Sequence, residues 1–141
     1  MSTDALFQIS STLALLGWIV LLASPLLKRW AWIVSGAMIP LLLSIAYAAL
    51  ILVFWFDAEG GFDTLANVQR LFANPEAALA GWIHFLAFDL LIGTWVARTA
   101  SREGVAFLFV VPCLFLTFMF GPAGYLAFSA LRVAHGKGVT Q

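Results

Sequence analysis

Charged residues are scarce in this sequence. Only 10% of its 141 residues are charged, whereas 63% are hydrophobic, and the mean hydropathy is +1.01. Soluble domains usually carry about a quarter charged residues, so this chain has too few polar side chains to cover a core in water. Its formal net charge of zero also provides no basic patch for nucleic acid. The composition excludes an ordinary soluble domain and predicts a membrane protein.

Cysteine and histidine are also rare. Cys113 is the only cysteine, so an internal disulfide cannot form, and we expect a buried, inert thiol. His84 lies in an apolar run, whereas His135 lies in the tail and is expected to be exposed. No Cys/His pattern has metal-ligand spacing. The sequence therefore predicts no metal site, and it identifies no cofactor.

Long apolar runs fill most of the chain. Because a membrane-spanning helix needs about 20 apolar residues, we predict an all-α, integral membrane four-helix bundle that forms a single domain over residues 1–141. The predicted spans are 5–27, 31–56, 75–97 and 105–133. The first run has neither a basic segment before it nor a cleavage motif, so we expect it to remain in the mature protein.

One substantial polar stretch separates the second and third spans. Between residues 57 and 75, apolar residues recur at steps of three and four, which predicts a short amphipathic helix at the membrane surface. An ordinary ordered loop is the alternative. The segment Asn74-Pro75-Glu76 that follows has the pattern of a helix N-terminus, with Asn74 as the cap.

The distribution of charge predicts an orientation. Basic residues follow the first and third spans: Lys28, Arg29, Arg98 and Arg102. Because cytoplasmic loops are rich in Lys and Arg, we expect the acidic central loop outside and, with four full spans, both termini outside as well. Arg132 and Lys137 in the tail favour the opposite side for the C-terminus. A re-entrant last segment, broken at "GPAG", would return the tail to the cytoplasm.

Two ionisable side chains interrupt the third span. A charge at the bilayer centre costs at least about 2.5 kcal/mol, so we expect Asp89 to face the protein interior. His84 is about 140° away around an ideal helix. The two side chains therefore contact different neighbouring helices or border one cavity from two sides. The functional hypothesis is a proton-handling pair beside an apolar ligand site, and the structural alternative is an interhelical hydrogen-bond clasp.

Aromatic residues are abundant, with 13 Phe and six Trp. Because Trp favours the membrane–water boundary, aromatic belts at the membrane interface and packing between helices explain many of these residues. A groove for a conjugated or isoprenoid molecule is the other interpretation. The residues predicted to line such a groove are Trp82, Trp95, Thr117 and Tyr125.

The motif "FGPAGY" interrupts the last predicted span. At 1.5 Å per residue, about 29 residues reach about 43 Å, more than the hydrocarbon core requires. We therefore predict a kinked last helix, with the kink at Gly121, Pro122 and Gly124. Broken helices mark either a site or a packing kink.

The segments "AGWIHFLAFDLLIG" and "VPCLFLTFMFGPAGYLAF" resemble the abscisic-acid-deficient-four-like family. Its plant members take part in neoxanthin formation from violaxanthin in plastids, and its bacterial relatives are small integral membrane proteins. The resemblance implies a carotenoid or other isoprenoid ligand and, without a transit peptide, a location in the bacterial cytoplasmic (inner) membrane. The family's signature maps to Trp82, His84, Asp89, Gly93, Trp95, Gly121, Pro122 and Gly124.

The resemblance implies an acid–base isomerisation. An acid protonates an epoxide oxygen and a base removes a proton from the polyene, with His84 and Asp89 as the candidate catalytic residues. The alternative is a non-catalytic pigment-binding or scaffolding subunit of a larger membrane complex, for example a photosynthetic one. Thr94 and Thr99 replace a basic and an acidic residue of the family's pattern, which favours this alternative. The expected partners are membrane lipid, an isoprenoid ligand and a larger complex.

Overall fold

A computed structural model describes residues 2–134 and 136 of the chain. Within these residues the regular structure is helical and no strand occurs, which confirms the all-α prediction. His135 and Lys137 lie outside the described residues. The helices are α1 (Thr3–Leu22), α2 (Ser24–Leu27), α3 (Arg29–Ile33), α4 (Ile39–Phe54), α5 (Leu65–Ala73), α6 (Pro75–Glu103), α7 (Phe107–Phe120) and α8 (Pro122–Ala134).

Three stretches are long and apolar enough to cross a membrane. They are α1, the run Arg29–Phe54 and α6. A π-helical turn at Val34–Met38 joins α3 to α4 within the second stretch. Many large apolar side chains point outward, as a surface that faces lipid requires. The chain is therefore an integral membrane protein, and the first three predicted spans correspond to these helices.

Helix α6 is the central element of the bundle and packs against α1, α4, α5, α7 and α8. It begins where the sequence predicts. The side-chain oxygen of Asn74 accepts hydrogen bonds from the backbone N–H groups of Glu76 (3.0 Å) and Ala77 (2.9 Å). Gly104, in the left-handed conformation, ends the helix. Its 29 residues extend about 43 Å, so α6 is longer than the hydrocarbon core of a bilayer, which is about 30 Å thick.

A fourth full span is not confirmed. Residues of the predicted span 105–133 form two helices, α7 and α8, that fold back on each other at Gly121. The φ angle of Gly121 is +43°, a region that glycine adopts at low cost. A Cβ atom added to Gly124 would lie 2.5 Å from the Cα atom of Thr117, whereas residues seven apart in a straight helix are separated by about 10.5 Å. The chain therefore breaks at the predicted motif, but it reverses instead of bending.

The α7–α8 hairpin extends from one end of α6 to its middle and back. At the tip, Gly121 contacts Asp89. Along α8, Arg132 forms an ion pair with Glu103 at the end of α6. The α6–α7 connection and the end of α8 therefore lie on the same side of the bundle.

The two ends of the described chain lie on opposite sides of the bundle. Thr3 lines a cavity with Pro75, at the N-terminal end of α6, whereas Arg132 reaches the C-terminal end of α6. The expectation that both termini lie on one side followed from four full spans, and the reversal at Gly121 overturns it.

Helix α5 confirms the helix predicted in the polar stretch. The Thr64 hydroxyl caps it by accepting a hydrogen bond from the Asn67 backbone N–H (3.2 Å). The Asn67 side-chain amide donates to Asp63 (2.9 Å), which holds the pKa of the Asp63 carboxyl below its usual value. Leu71 is buried, and Phe72 packs over Gly81 of α6. Helix α5 thus covers the N-terminal part of α6.

Candidate functional site

Asp89 lies at the midpoint of α6, halfway between Pro75 and Glu103. Its side chain is only 9% exposed, and its Oδ2 atom has no hydrogen-bond partner among the described residues. Buried polar groups are hydrogen-bonded in the large majority of cases. Asp89 departs from this rule, and buried polar atoms without a partner are candidates for a functional role.

The tip of the α7–α8 hairpin covers one side of Asp89. A Cβ atom added to Gly121 would lie 2.6 Å from Oδ1 of Asp89, so a side chain at this position would displace the carboxyl group. Helix α8 begins immediately afterwards, with Pro122 at its first position, where no N–H group is needed.

A groove of about 360 Å³ opens next to this carboxyl group. It is called the Asp89 groove below. Phe88 and Tyr125 are about half exposed on its walls, so the groove is open to the surroundings of the helix. The residues that line it are Phe88, Asp89, Ile92, Gly121, Pro122 and Tyr125. The residues Asp89 and Tyr125 thus border a groove whose surface is almost entirely apolar.

His84 lies in a different cavity. Its ring stacks on Phe88 (4.6 Å between centroids) and approaches Tyr47 of α4 (5.6 Å). The cavity that it lines lies between α4, α5 and α6 and does not include Asp89. The Asp89 groove, in turn, does not include His84. The two candidate catalytic residues therefore contact different neighbouring helices, and Phe88 is the residue in contact with both sites.

Trp82 and Thr117, both predicted to line a ligand groove, do not line the Asp89 groove. Trp82 faces α1, where its indole N–H donates to the Ser11 hydroxyl (3.0 Å). Thr117 is fully buried inside the hairpin, and its hydroxyl donates to the backbone carbonyl of Cys113 (2.8 Å). The contacts of Thr117 are those of a packing residue, whereas Trp82 also lines a separate cavity of about 260 Å³ next to Thr3 and Pro75.

Tyr125 and Trp95 lie at the groove or beside it. Tyr125 is part of the wall. The Trp95 ring lies 5.5 Å from the Tyr125 ring and 5.7 Å from the Phe128 ring, in an edge-to-face arrangement. The guanidinium group of Arg132 lies 6.0 Å from the Trp95 ring. Trp95 therefore contacts the groove wall at Tyr125 without lining the groove itself.

Thr94 does not belong to the groove. It is buried against Gly36 in the π-helical turn, and its Oγ1 atom has no hydrogen-bond partner among the described residues. Thr99 is half-buried, further along α6. The two departures from the family pattern thus lie away from Asp89.

Sequence reasoning missed two residues of the groove wall, Phe88 and Ile92. A signal for them was present, since His84, Phe88 and Ile92 follow one another at four-residue steps on a helix. No group of three His, Cys, Asp or Glu residues within the described chain is placed to hold a metal ion.

Comparison with known protein families places the chain in a family. A family model described as ABA DEFICIENT 4-like matches residues 5–128. No curated protein and no solved structure matches the chain. The matched range contains Asp89, His84 and the tip of the hairpin, so the resemblance noted from the two motifs is confirmed. The chain belongs to the ABA DEFICIENT 4-like family.

Proposed function

We propose that this protein acts on a carotenoid or a related isoprenoid lipid within the bacterial cytoplasmic membrane, with Asp89 as the catalytic acid. The observation that carries the proposal is the buried carboxyl group at the midpoint of α6, whose Oδ2 atom has no hydrogen-bond partner among the described residues and which lies beside an open apolar groove. Burying a polar atom without a hydrogen-bond partner costs stability, and a functional role accounts for that cost at Asp89. Membership of the ABA DEFICIENT 4-like family is consistent with a carotenoid-related role.

The groove suits a ligand that is dissolved in the membrane. Such a ligand reaches the groove laterally from lipid, because Phe88 and Tyr125 border its open side. Flat aromatic rings stack well on a conjugated chain. At this depth the ionised carboxylate is costly, so the neutral acid, which is a proton donor, is the favoured form.

For an epoxide ligand, the proposed reaction is an isomerisation. The Asp89 carboxyl donates its proton to the epoxide oxygen as the C–O bond breaks, which yields a hydroxyl group. The resulting carboxylate removes a proton from a neighbouring polyene carbon, and the electrons of that C–H bond form a new double bond. The acid is thereby restored, and the product has the same formula as the substrate.

His84 is the alternative base, and its position argues against this role. The oxygen atom that receives the first proton and the carbon atom that loses the second are close together in one ligand, whereas His84 lines a separate cavity. We therefore expect Asp89 to be required and His84 to be dispensable for the chemical step.

The test is conversion of an epoxycarotenoid in bacterial cells engineered to make violaxanthin. Cells expressing the protein are expected to accumulate an isomer of the same mass, separated by liquid chromatography. Asp89→Asn keeps the shape of the side chain and removes its acid, so conversion should fall by about 100-fold or more. His84→Ala should retain conversion. If this variant loses conversion instead, His84 is the base.

Unchanged pigments in cells that contain normal amounts of folded protein would overturn the catalytic proposal. Co-purification of pigment with the protein in a larger assembly would then favour a pigment-binding or scaffolding subunit. Full conversion by Asp89→Asn would remove Asp89 from the mechanism while leaving the substrate class in place.

A further inference from the structure

A second cavity, of about 270 Å³, lies between α4, α5 and α6. It is called the α5 cavity below, because α5 covers it. Aromatic side chains form much of its wall: Phe54, Trp55, Phe62 and Phe72. Its position next to the polar stretch that contains α5 places it towards one end of the bundle, away from the hairpin tip.

Besides Trp55, whose indole N–H is a donor, three side chains with hydrogen-bonding groups line the α5 cavity: Tyr47, Glu76 and His84. Within the described chain, His84 makes ring contacts with Tyr47 and Phe88, and none of the three forms a side-chain hydrogen bond with another residue. A phenol, a carboxylate and an imidazole are thus available to a ligand. Apolar walls with a few convergent polar groups are the usual composition of a small-molecule site.

The size of the α5 cavity limits what it holds. A water molecule occupies about 30 Å³ in the liquid, so the cavity has the volume of about nine waters. A single substituted ring fits this volume, whereas a whole carotenoid does not. The remainder of a larger lipid would leave past His84, which is exposed at the edge of the cavity and stacks on Phe88.

We propose that the α5 cavity is a second binding site, for an apolar ring that carries a hydroxyl group, such as the cyclic end of a membrane-dissolved alcohol. The ring packs among the aromatic side chains. The hydroxyl group either donates to His84 and accepts from Tyr47, whose rings lie 5.6 Å apart, or donates to the Glu76 carboxylate, about 12 Å away along α6. This proposal concerns ligand binding only. Its outcome does not depend on whether Asp89 transfers a proton.

The test compares two small ligands, 3-hydroxy-β-ionone and β-ionone, which differ by one hydroxyl group. Binding to the protein in lipid nanodiscs is followed by quenching of tryptophan fluorescence, since Trp55 lines the cavity. The hydroxylated ligand is expected to bind about tenfold more tightly, as one net hydrogen bond provides. Glu76→Ala combined with His84→Ala should reduce this preference, because only Tyr47 then remains to contact the hydroxyl group.

A matched pair of variants separates the cavity from the surrounding lipid. Ala77→Phe places a ring inside the α5 cavity, whereas Ala49→Phe adds the same ring to an exposed position of α4 outside it. Ala77→Phe should abolish saturable binding, and Ala49→Phe should leave it unchanged. Equal binding to both variants, or equal affinity of the two ligands for the unmodified protein, would overturn the proposal. If Ala77→Phe does not fold, the ligand preference of the Glu76 and His84 variant decides the question.

Discussion

The Asp89 carboxyl group lies against the backbone of Gly121, so closely that a Cβ atom added to Gly121 would be 2.6 Å from Oδ1. The two residues meet because α7 ends, and α8 begins, at the depth of the midpoint of α6. The acid of the proposed mechanism and the reversal of the chain are therefore parts of one contact. A change at either residue is expected to affect the other.

Gly121→Ala tests this contact. The substitution forces alanine into a φ of +43° and pushes its methyl group into the Asp89 carboxyl. Gly104→Ala is the matched control, because Gly104 has a φ of +70° and nothing lies within 4 Å of its added Cβ. The control should lose roughly 1–2 kcal/mol. Gly121→Ala should lose clearly more, as measured by thermal unfolding in detergent, and equal losses would contradict the contact.

The hairpin predicts where the ends of the helices lie relative to the membrane. The α6–α7 connection and the end of α8 should be accessible from one side, and α5 from the other. Basic residues near the first side are Lys28, Arg29, Arg98, Arg102 and Arg132. By the positive-inside rule, that side is cytoplasmic.

Labelling of single cysteines checks this topology. In a Cys113→Ser background, Ser101→Cys and Ala134→Cys should react with a membrane-impermeant maleimide only after the cytoplasmic side is opened. Ala66→Cys in α5 should react in intact spheroplasts. If Ala134→Cys also reacts in intact spheroplasts, as Ala66→Cys does, the chain has a full fourth span.

Local features of α6 were readable from the sequence. Asn74 is a capping residue followed by proline, and the bonds that it makes lie within three residues of it. The burial of Asp89 also followed, because a carboxyl group in an apolar helix avoids lipid. Both conclusions depend on helix geometry and solvation alone, which the sequence carries.

The reversal at Gly121 was not readable in the same way. A glycine followed by proline permits both a kink and a reversal, and the apolar run on each side is consistent with either. The decision comes from long-range contacts, among them Gly124 against Thr117 and Arg132 with Glu103. These contacts also decide whether His84 and Asp89 share one cavity, since the groove at Asp89 exists only where the hairpin tip meets α6 and His84 does not line it.

The Arg132–Glu103 ion pair is expected to hold α8 against the end of α6. Nε of Arg132 donates to Oε2 of Glu103 (2.8 Å), and a second contact makes the pair bidentate. Bidentate pairs are the stronger form. Glu103→Gln and Arg132→Gln should each lower the unfolding midpoint by a few degrees.

A reversed pair separates the ion pair from other roles of these residues. Combining Glu103→Arg with Arg132→Glu should recover most of the midpoint lost in either single reversal, measured as a double-mutant cycle. Additive losses in the cycle would show that the two side chains stabilise the protein through other contacts.

Asp89→Asn is expected to affect function and stability in opposite directions. A carboxyl group that lacks a hydrogen-bond partner for Oδ2 contributes little to the fold, and replacing it with a neutral side chain of the same shape removes the cost of any charge at this depth. The unfolding midpoint of the variant should therefore equal or exceed that of the unmodified protein, whereas pigment conversion should be lost. Such a trade-off is characteristic of groups retained for function. If instead the midpoint falls by as much as for Gly121→Ala, Asp89 is a structural clasp between α6 and the hairpin, and the acid of the proposed mechanism must be sought elsewhere.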